Sequence, residues 1–343
     1  MAYTTIKNSS AQFNANTFTG NNSTQTFTGF NFQPDMTWLK KRNGTANHHL
    51  VNAVSGVGYY LYPNLTNVQG GNGATLLTAF TSDGYTVDAG ADSNGAGATG
   101  VGWSWKAGNL ANTVGTSNGD GSITSSVSAN TVGGFSIVKY TGDGSSGATV
   151  GHGLGATPKV IIVKRTNTTA QWNVYHASLG NTGAMYLNTD AAFNTVSGFW
   201  NNTSPNSTTF TLGNDAAGNG SGDSYVAYCW TDKVGYSNFG KYVGNNNTDG
   251  TFVYTGFKPA FVMMKVHDGV SDWSIFDNKR LGYNTSNRNL KPNSTAADET
   301  IALDLLSNGF KPRSTSDKVN NGNYIYIAFA AEPLVGDNPA TAR

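Results

Sequence analysis

Short apolar runs along this chain stop abruptly at a lysine, and they do so three times: Met36-Thr37-Trp38-Leu39-Lys40, Val160-Ile161-Ile162-Val163-Lys164 and Phe261-Val262-Met263-Met264-Lys265. Their length, β-forming residues and sharp polar stop predict strands buried on both faces, in the middle of a sheet. Pro34, Pro158 and Pro259 precede them, which suits the first position of a strand, where no ladder donor is needed. Each run follows an aromatic-X-Gly turn, at Phe18-Thr19-Gly20, Tyr140-Thr141-Gly142 and Tyr242-Val243-Gly244. A second, half-buried strand follows at Trp172-Asn173-Val174-Tyr175 and at Trp273-Ser274-Ile275-Phe276, with large and small residues alternating. The first copy has His48-His49-Leu50-Val51 there and lacks the tryptophan.

Later in each copy comes a hairpin pattern. Leu76–Phe80 leads through Asp83-Gly84 into Tyr85-Thr86-Val87, and Ile301–Leu306 leads through Asn308-Gly309 into Phe310. Asp-Gly and Asn-Gly predict type I′ turns, since glycine accepts positive φ without steric cost. The second copy has Thr208-Thr209 before Phe210 and a different turn. Alternation at Ile301, Leu303 and Leu305 favours strand over a short helix. Each copy closes on an aromatic run: Val101–Trp105, Tyr225–Trp230 and Tyr324–Phe329. In the second and third copies the intervening residues are also apolar, which implies a second covered face.

A pattern repeated at this length is one packing unit used again. About six short strands per unit, each with one buried face, close most simply as an antiparallel sandwich. The expected fold is all-β, three tandem antiparallel β-sandwich modules of jelly-roll or lectin-like form, at 1–115, 116–235 and 236–343. The connection from Asn109 to Gly134 supplies linker strands to the second module, at Ser122-Ile123-Thr124 and Phe135-Ser136-Ile137-Val138; the sheet they join is open.

Composition agrees with short strands and tight turns. Charged residues are 12% of the chain and glycines number 43 of 343, against about 25% and about 7% in average proteins. A formal charge of +1 supplies no field for nucleic acid or anionic lipid, and no run approaches the length of a membrane span. The start of the chain has no apolar signal segment. The lone Cys229 sits in an apolar run and is expected to be a buried, inert thiol, consistent with folding in a reducing cytosol.

Candidate chemistry is sparse. The sequence has no Gly-X-Ser-X-Gly elbow, no His-Glu-X-X-His and no phosphate loop, so no catalytic or cofactor-binding residue is assigned and no cofactor is expected. Gly151-His152-Gly153-Leu154-Gly155 precedes a strand, not a helix, and reads as a loop. His48 and His49 are adjacent and would point to opposite faces of a strand, so they read as surface or edge residues rather than a metal pair. Asp215, Asn219 and Asp223 lie among glycines, and such an oxygen-rich loop is a weak Ca²⁺ candidate. Paired carboxylates for glycoside cleavage have no position that recurs in all three copies. Trp38, Trp105, Trp172, Trp230 and Trp273 read as core, and a sugar-gripping surface would belong in the variable loops.

Several phrases carry a likeness. Tyr140-Thr141-Gly142-Asp143-Gly144, Gly151–Gly155, Trp172-Asn173-Val174-Tyr175-His176, Phe257-Lys258-Pro259-Ala260-Phe261-Val262-Met263, Asp277-Asn278-Lys279-Arg280 and Leu306-Ser307-Asn308-Gly309-Phe310 resemble a repeat family of tailed-bacteriophage virion proteins, common in marine and cyanobacterial phages. The likeness runs from about Phe18 to Pro333. It implies a non-enzymatic, tail-fibre-like structural protein, assembled in the host cytoplasm into the virion. The implied partners are other virion proteins and a host-surface glycan or receptor, with trimer formation by analogy to fibres. The alternatives are a capsid decoration protein and, further off, a polysaccharide-degrading enzyme or a cellular adhesin.

Overall fold

Alternation along the lysine-stopped runs decides the architecture, because each of them is covered on both sides. The structure is a computed structural model that describes residues 4, 6–71, 76–108, 115–281, 288–333 and 335. The start of the connection, 109–114, and the tail of the third copy, 336–343, lie outside the described residues. Among the described residues the chain is all-β apart from single helical turns.

Four strands recur in each copy. The opening strands are Phe13–Thr19, Phe135–Thr141 and Ser237–Val243; the lysine strands are Met36–Lys41, Val160–Arg165 and Phe257–Val266. The second strands are His49–Asn52, Trp172–His176 and Ser274–Asp277; the closing strands are Thr99–Trp105, Ser224–Trp230 and Asn323–Pro333. In all three copies they form one antiparallel sheet in the order opening, closing, lysine, second. The lysine strand thus lies inside its sheet, as its apolar run predicts. The connection extends the second copy's sheet by two strands, Thr116–Asn118 and Ser125–Asn130, which lie beside its opening strand. Phe135–Thr141 is therefore no linker strand but the counterpart of Phe13–Thr19 and Ser237–Val243.

Outside each inner sheet lies a smaller one: Gln25–Phe27, Gly84–Val87 and Leu77–Thr81 in copy one, Thr149–Gly151 and Thr209–Thr211 in copy two, and Val253–Tyr254, Gly309–Pro312 and Leu303–Leu306 in copy three. The stretch before Leu306 is strand, as alternation indicates. The type I′ expectation fails. Thr81 pairs with Gly84 and Leu306 with Gly309, so both glycines begin the returning strand, and none of Ser82, Asp83, Ser307 and Asn308 has positive φ. Gly84 is needed for another reason: a Cβ there would collide with the Phe27 carbonyl of the neighbouring strand.

The interior is not divided the way three separate modules would divide it. Leu39, Val51 and Tyr85 form a core between the sheets of copy one, and Val138, Ile161, Val163, Phe210 and Cys229 form one in copy two. The opposite faces, with Met36, Trp38 and Trp105 from copy one and Ile162 and Trp230 from copy two, join Phe261, Met263 and Phe329 of copy three in one shared core. Trp105 lies among rings from all three copies, with centroids 5.0 Å from Phe13, 6.5 Å from Trp230, and 5.7 Å from both Phe261 and Phe329. Such tilted and edge-on pairs are each worth about 0.5–1.5 kcal/mol beyond area burial. The second covered face implied by the closing runs is this shared core.

Candidate functional site

Buried polar residues sit at matching positions on the seams between copies. Lys40, Lys164 and Lys265 end the apolar runs on the face toward the shared core and are completely buried. Lys40 donates to the carbonyls of Lys41 and Thr295 (2.7 and 3.2 Å), Lys164 to those of Thr66 and Ala170 (3.0 and 2.9 Å), and Lys265 to those of Val266 and Gly269 (2.7 and 3.3 Å). Burial pushes each ammonium down to about 8. A lysine of that kind can serve as a nucleophile, but these three are enclosed by packed sheet and clamp backbone carbonyls.

Beside the lysines stand His48, Trp172 and Trp273. The His48 Nε2–H donates to the Lys291 carbonyl of copy three at 2.9 Å. The Trp172 Nε1–H donates to the Tyr62 and Leu65 carbonyls of copy one at 3.0 and 3.1 Å. The Trp273 Nε1–H donates to the Tyr186 carbonyl of copy two at 3.0 Å. The three links run the same way round and close a ring. Their backbone N–H groups are held by Asn64, Asn188 and Asn293 at 3.0, 2.9 and 3.1 Å. At the far end of the second strand a further ring runs the opposite way. Asn52 donates to the Tyr228 hydroxyl (2.9 Å), His176 to the Tyr326 carbonyl (3.2 Å), and Asp277 accepts from Trp103 Nε1 (3.0 Å). Asp277 also takes Arg280 Nε at 2.7 Å, and Arg280 reaches Asp298, which binds Arg42 of copy one at 3.1 Å.

His48 and His49, expected at the surface, are buried. His48 is enclosed because it stands where the sister copies place tryptophan, and His49 packs against Tyr60 and Tyr62 with centroids 5.5 and 5.2 Å away. Their opposite orientation holds. Burial keeps His48 well below the ordinary imidazole value and lowers His49 to about 4. Cys229 is buried, and burial pushes its thiol far up.

The oxygen-rich loop is distributed over separate tasks. Asp215 caps a single helical turn, accepting from the Ala217 N–H at 2.7 Å. Asp223 pairs with Arg165 and accepts from Asn167 at 3.1 Å. Asn219 is buried; its oxygen accepts from the Asp143 N–H at 3.0 Å and its amide donates to the Ser145 and Gly213 carbonyls at 2.9 and 3.0 Å. Asn94 and Asn320 do equivalent work, so Asn219 holds a position that recurs in all three copies. Each of these asparagines lies under an opening-turn glycine, Gly20, Gly142 or Gly244, where a Cβ would collide with the asparagine's own turn. Sequence reading missed this set and the Asn64, Asn188 and Asn293 set. Their signal was recurrence at a matching place in all three copies. Among the described residues, no group of three or more His, Cys, Asp or Glu is placed to hold a metal ion.

The shared core encloses a void of about 20 Å³ walled by apolar side chains of all three copies, including Trp38, Ile162 and Met263. A cleft of about 200 Å³ opens beside Lys7, Asn14, Lys279 and Glu332. The outward face of copy three's outer sheet differs from its sisters. Val253 pairs with Phe310, Phe27 with Tyr85 and Val150 with Phe210. Phe252 and Tyr254 therefore stand where copy one has Thr26 and Thr28 and copy two has Thr149 and Gly151. Phe252 is 44% and Tyr254 59% exposed. In copy two this edge is covered by the chain itself, with the Ile123 N–H bonded to the Thr149 carbonyl at 2.9 Å.

No curated protein and no solved structure matches the chain. Residues 8–333 match the family described as Domain of unknown function (DUF7483). That match spans nearly the whole length and takes in all three copies together, so the chain belongs to the DUF7483 family.

Proposed function

We propose that the protein is a non-enzymatic structural component of a tailed-phage virion, a tail-fibre or tail-tip element that meets the host surface. The observation that carries this reading is the closed ring of seam contacts. Three copies of one strand unit lock around a common core, through buried hydrogen bonds that salt screens little. A body of that kind keeps its shape outside a cell and offers outer faces for attachment. The phage-like phrases quoted from the sequence supply the particle context. In this reading each copy is a sandwich of an inner and an outer sheet, with its variable face turned outward. Capsid decoration is the second reading; the cyclic contacts among three related copies, which would suit a threefold position of a shell, favour it. Gold-labelled antibody against the protein, applied to intact particles, separates the two. Label at the tail or its tip is expected. Label over the head transfers the protein to the shell, and its absence from the proteins of purified particles overturns both.

A further inference from the structure

We propose that the outward face of copy three's outer sheet, built on Phe252 and Tyr254, binds an uncharged saccharide. The proposal deepens the host-surface reading above and rests on it. Folding does not call for these rings. Copies one and two build the same strand with Thr26 and Thr28, and with Thr149 and Gly151, and Val253 between the two rings is the residue that enters the core. Residues two apart in extended chain share a face at roughly 7 Å spacing, so Phe252, just ahead of the strand Val253–Tyr254, and Tyr254 make a row along the sheet edge. Each leans over a glycine: Phe252 Cε2 lies 3.1 Å from where a Cβ on Gly309 would stand, and the Tyr254 hydroxyl 3.7 Å from the same point on Gly256. Apolar ring surface on a strand backbone, open to water on its other side, is what the C–H face of a sugar stacks against.

Polar groups flank the row. Lys311 and Arg313 hold Asp249 at 2.8 and 2.6 Å, and Arg313 holds Asp304 at 2.7 Å. Two carboxylates and two cations cancel in charge but still offer oriented acceptors and donors to hydroxyl groups. With no net charge these four groups give a polyanion no net attraction, and an extended apolar peptide would bury their charged heads away from water. A neutral, hydroxyl-rich ring satisfies both halves of the face.

The test applies the full-length protein to an array of neutral glucans, galactans and mannans, with alginate as an acidic control. The variants are Phe252→Thr/Tyr254→Thr, which installs the copy-one residues, and Thr26→Ala/Thr28→Ala at the matching face of copy one. Binding to at least one neutral glycan is expected, reduced tenfold or more in the first variant and unchanged in the second, with the melting temperature of each within a degree or two of the parent. Binding to no neutral glycan, binding to alginate alone, or equal binding by the Phe252/Tyr254 variant overturns the site. Particle labelling reads the other question separately. A tail-located protein that binds no glycan refutes this site and leaves the virion reading standing, and a glycan-binding protein absent from particles does the reverse.

Discussion

Three histidines share one arrangement, and it fixes a pH response. The Nδ1 atoms of His48, His152 and His176 accept N–H groups of Trp38, Leu154 and Ser178, while their Nε2 atoms face the carbonyls of Lys291, Asn206 and Tyr326. Nδ1 is therefore bare and Nε2 carries the proton, so a second proton would set N–H against N–H. Burial and geometry act together, and the folded values of His49 and His176 lie at about 4 against about 6.5 unfolded. Below pH 6.5 the unfolded chain takes up protons that the folded chain refuses. The histidine contribution to stability is thus constant above that point, falls as pH drops from 6.5 to 4, and levels once both states of these rings are protonated. His49 and His176 each remove ~3 kcal/mol across that window. Urea midpoints at pH 7, 5.5 and 4 should fall in that order, and His176→Gln should flatten the slope by about one proton. Equal midpoints at pH 7 and 5 would show that the imidazoles charge freely in the fold. None of this was legible in the sequence, because the carbonyls that face the Nε2 atoms come from distant segments. His48-His49 looks like a polar entry to a strand, and only the register that sets His49 opposite Leu39 puts both rings inside.

At the scale of elements the lysine-stopped runs, the closing aromatic runs and the strand at Leu303–Leu306 could all be read from periodicity, which is a local property. A cross-strand exchange could not. In copies two and three an aliphatic residue on the lysine strand, Ile162 or Met263, goes with a tryptophan at the start of the second strand, Trp172 or Trp273. Copy one inverts the sizes: Trp38 lies on the lysine strand and His48 takes the tryptophan's place, bonded to the Trp38 Nε1–H at 2.9 Å. The first copy has moved its indole rather than lost it. His48→Trp, which restores the sister residue, should therefore destabilise by about 2–4 kcal/mol, since it overpacks the site and leaves the Trp38 N–H without its acceptor. Adding Trp38→Ile should recover at least about 1 kcal/mol of that loss, a coupling measurable by a double-mutant cycle in urea. Additive single effects would mean that the two positions do not exchange volume. The turn types were misread for a related reason: Gly84 answers to the approach of Phe27 from another strand, not to the two residues of its own turn.

For the whole molecule the question is whether three repeats make three folding units. Chains of this length commonly unfold in stages, and three modules with private interiors would do so. The shared core argues for one transition. Trp105 touches rings of its own copy and of both others, and two oppositely running rings of hydrogen bonds tie every copy to its neighbours. Opening one copy exposes apolar faces of the other two, so the loss is shared. Calorimetry should show a single peak, and Trp105→Ala, costing about 3–5 kcal/mol, should move the entire peak down by roughly 5 °C without splitting it. Cys229 supplies an independent probe, because its thiol lies in the core private to copy two. Its modification by a thiol reagent in urea, sampled at equilibrium, should follow the same midpoint as loss of β-sheet signal. A Cys229 midpoint displaced from the sheet midpoint would mean that copy two unfolds by itself. The ring of contacts would then be packing between finished modules, and the argument from a locked body to a particle exterior would lose its footing.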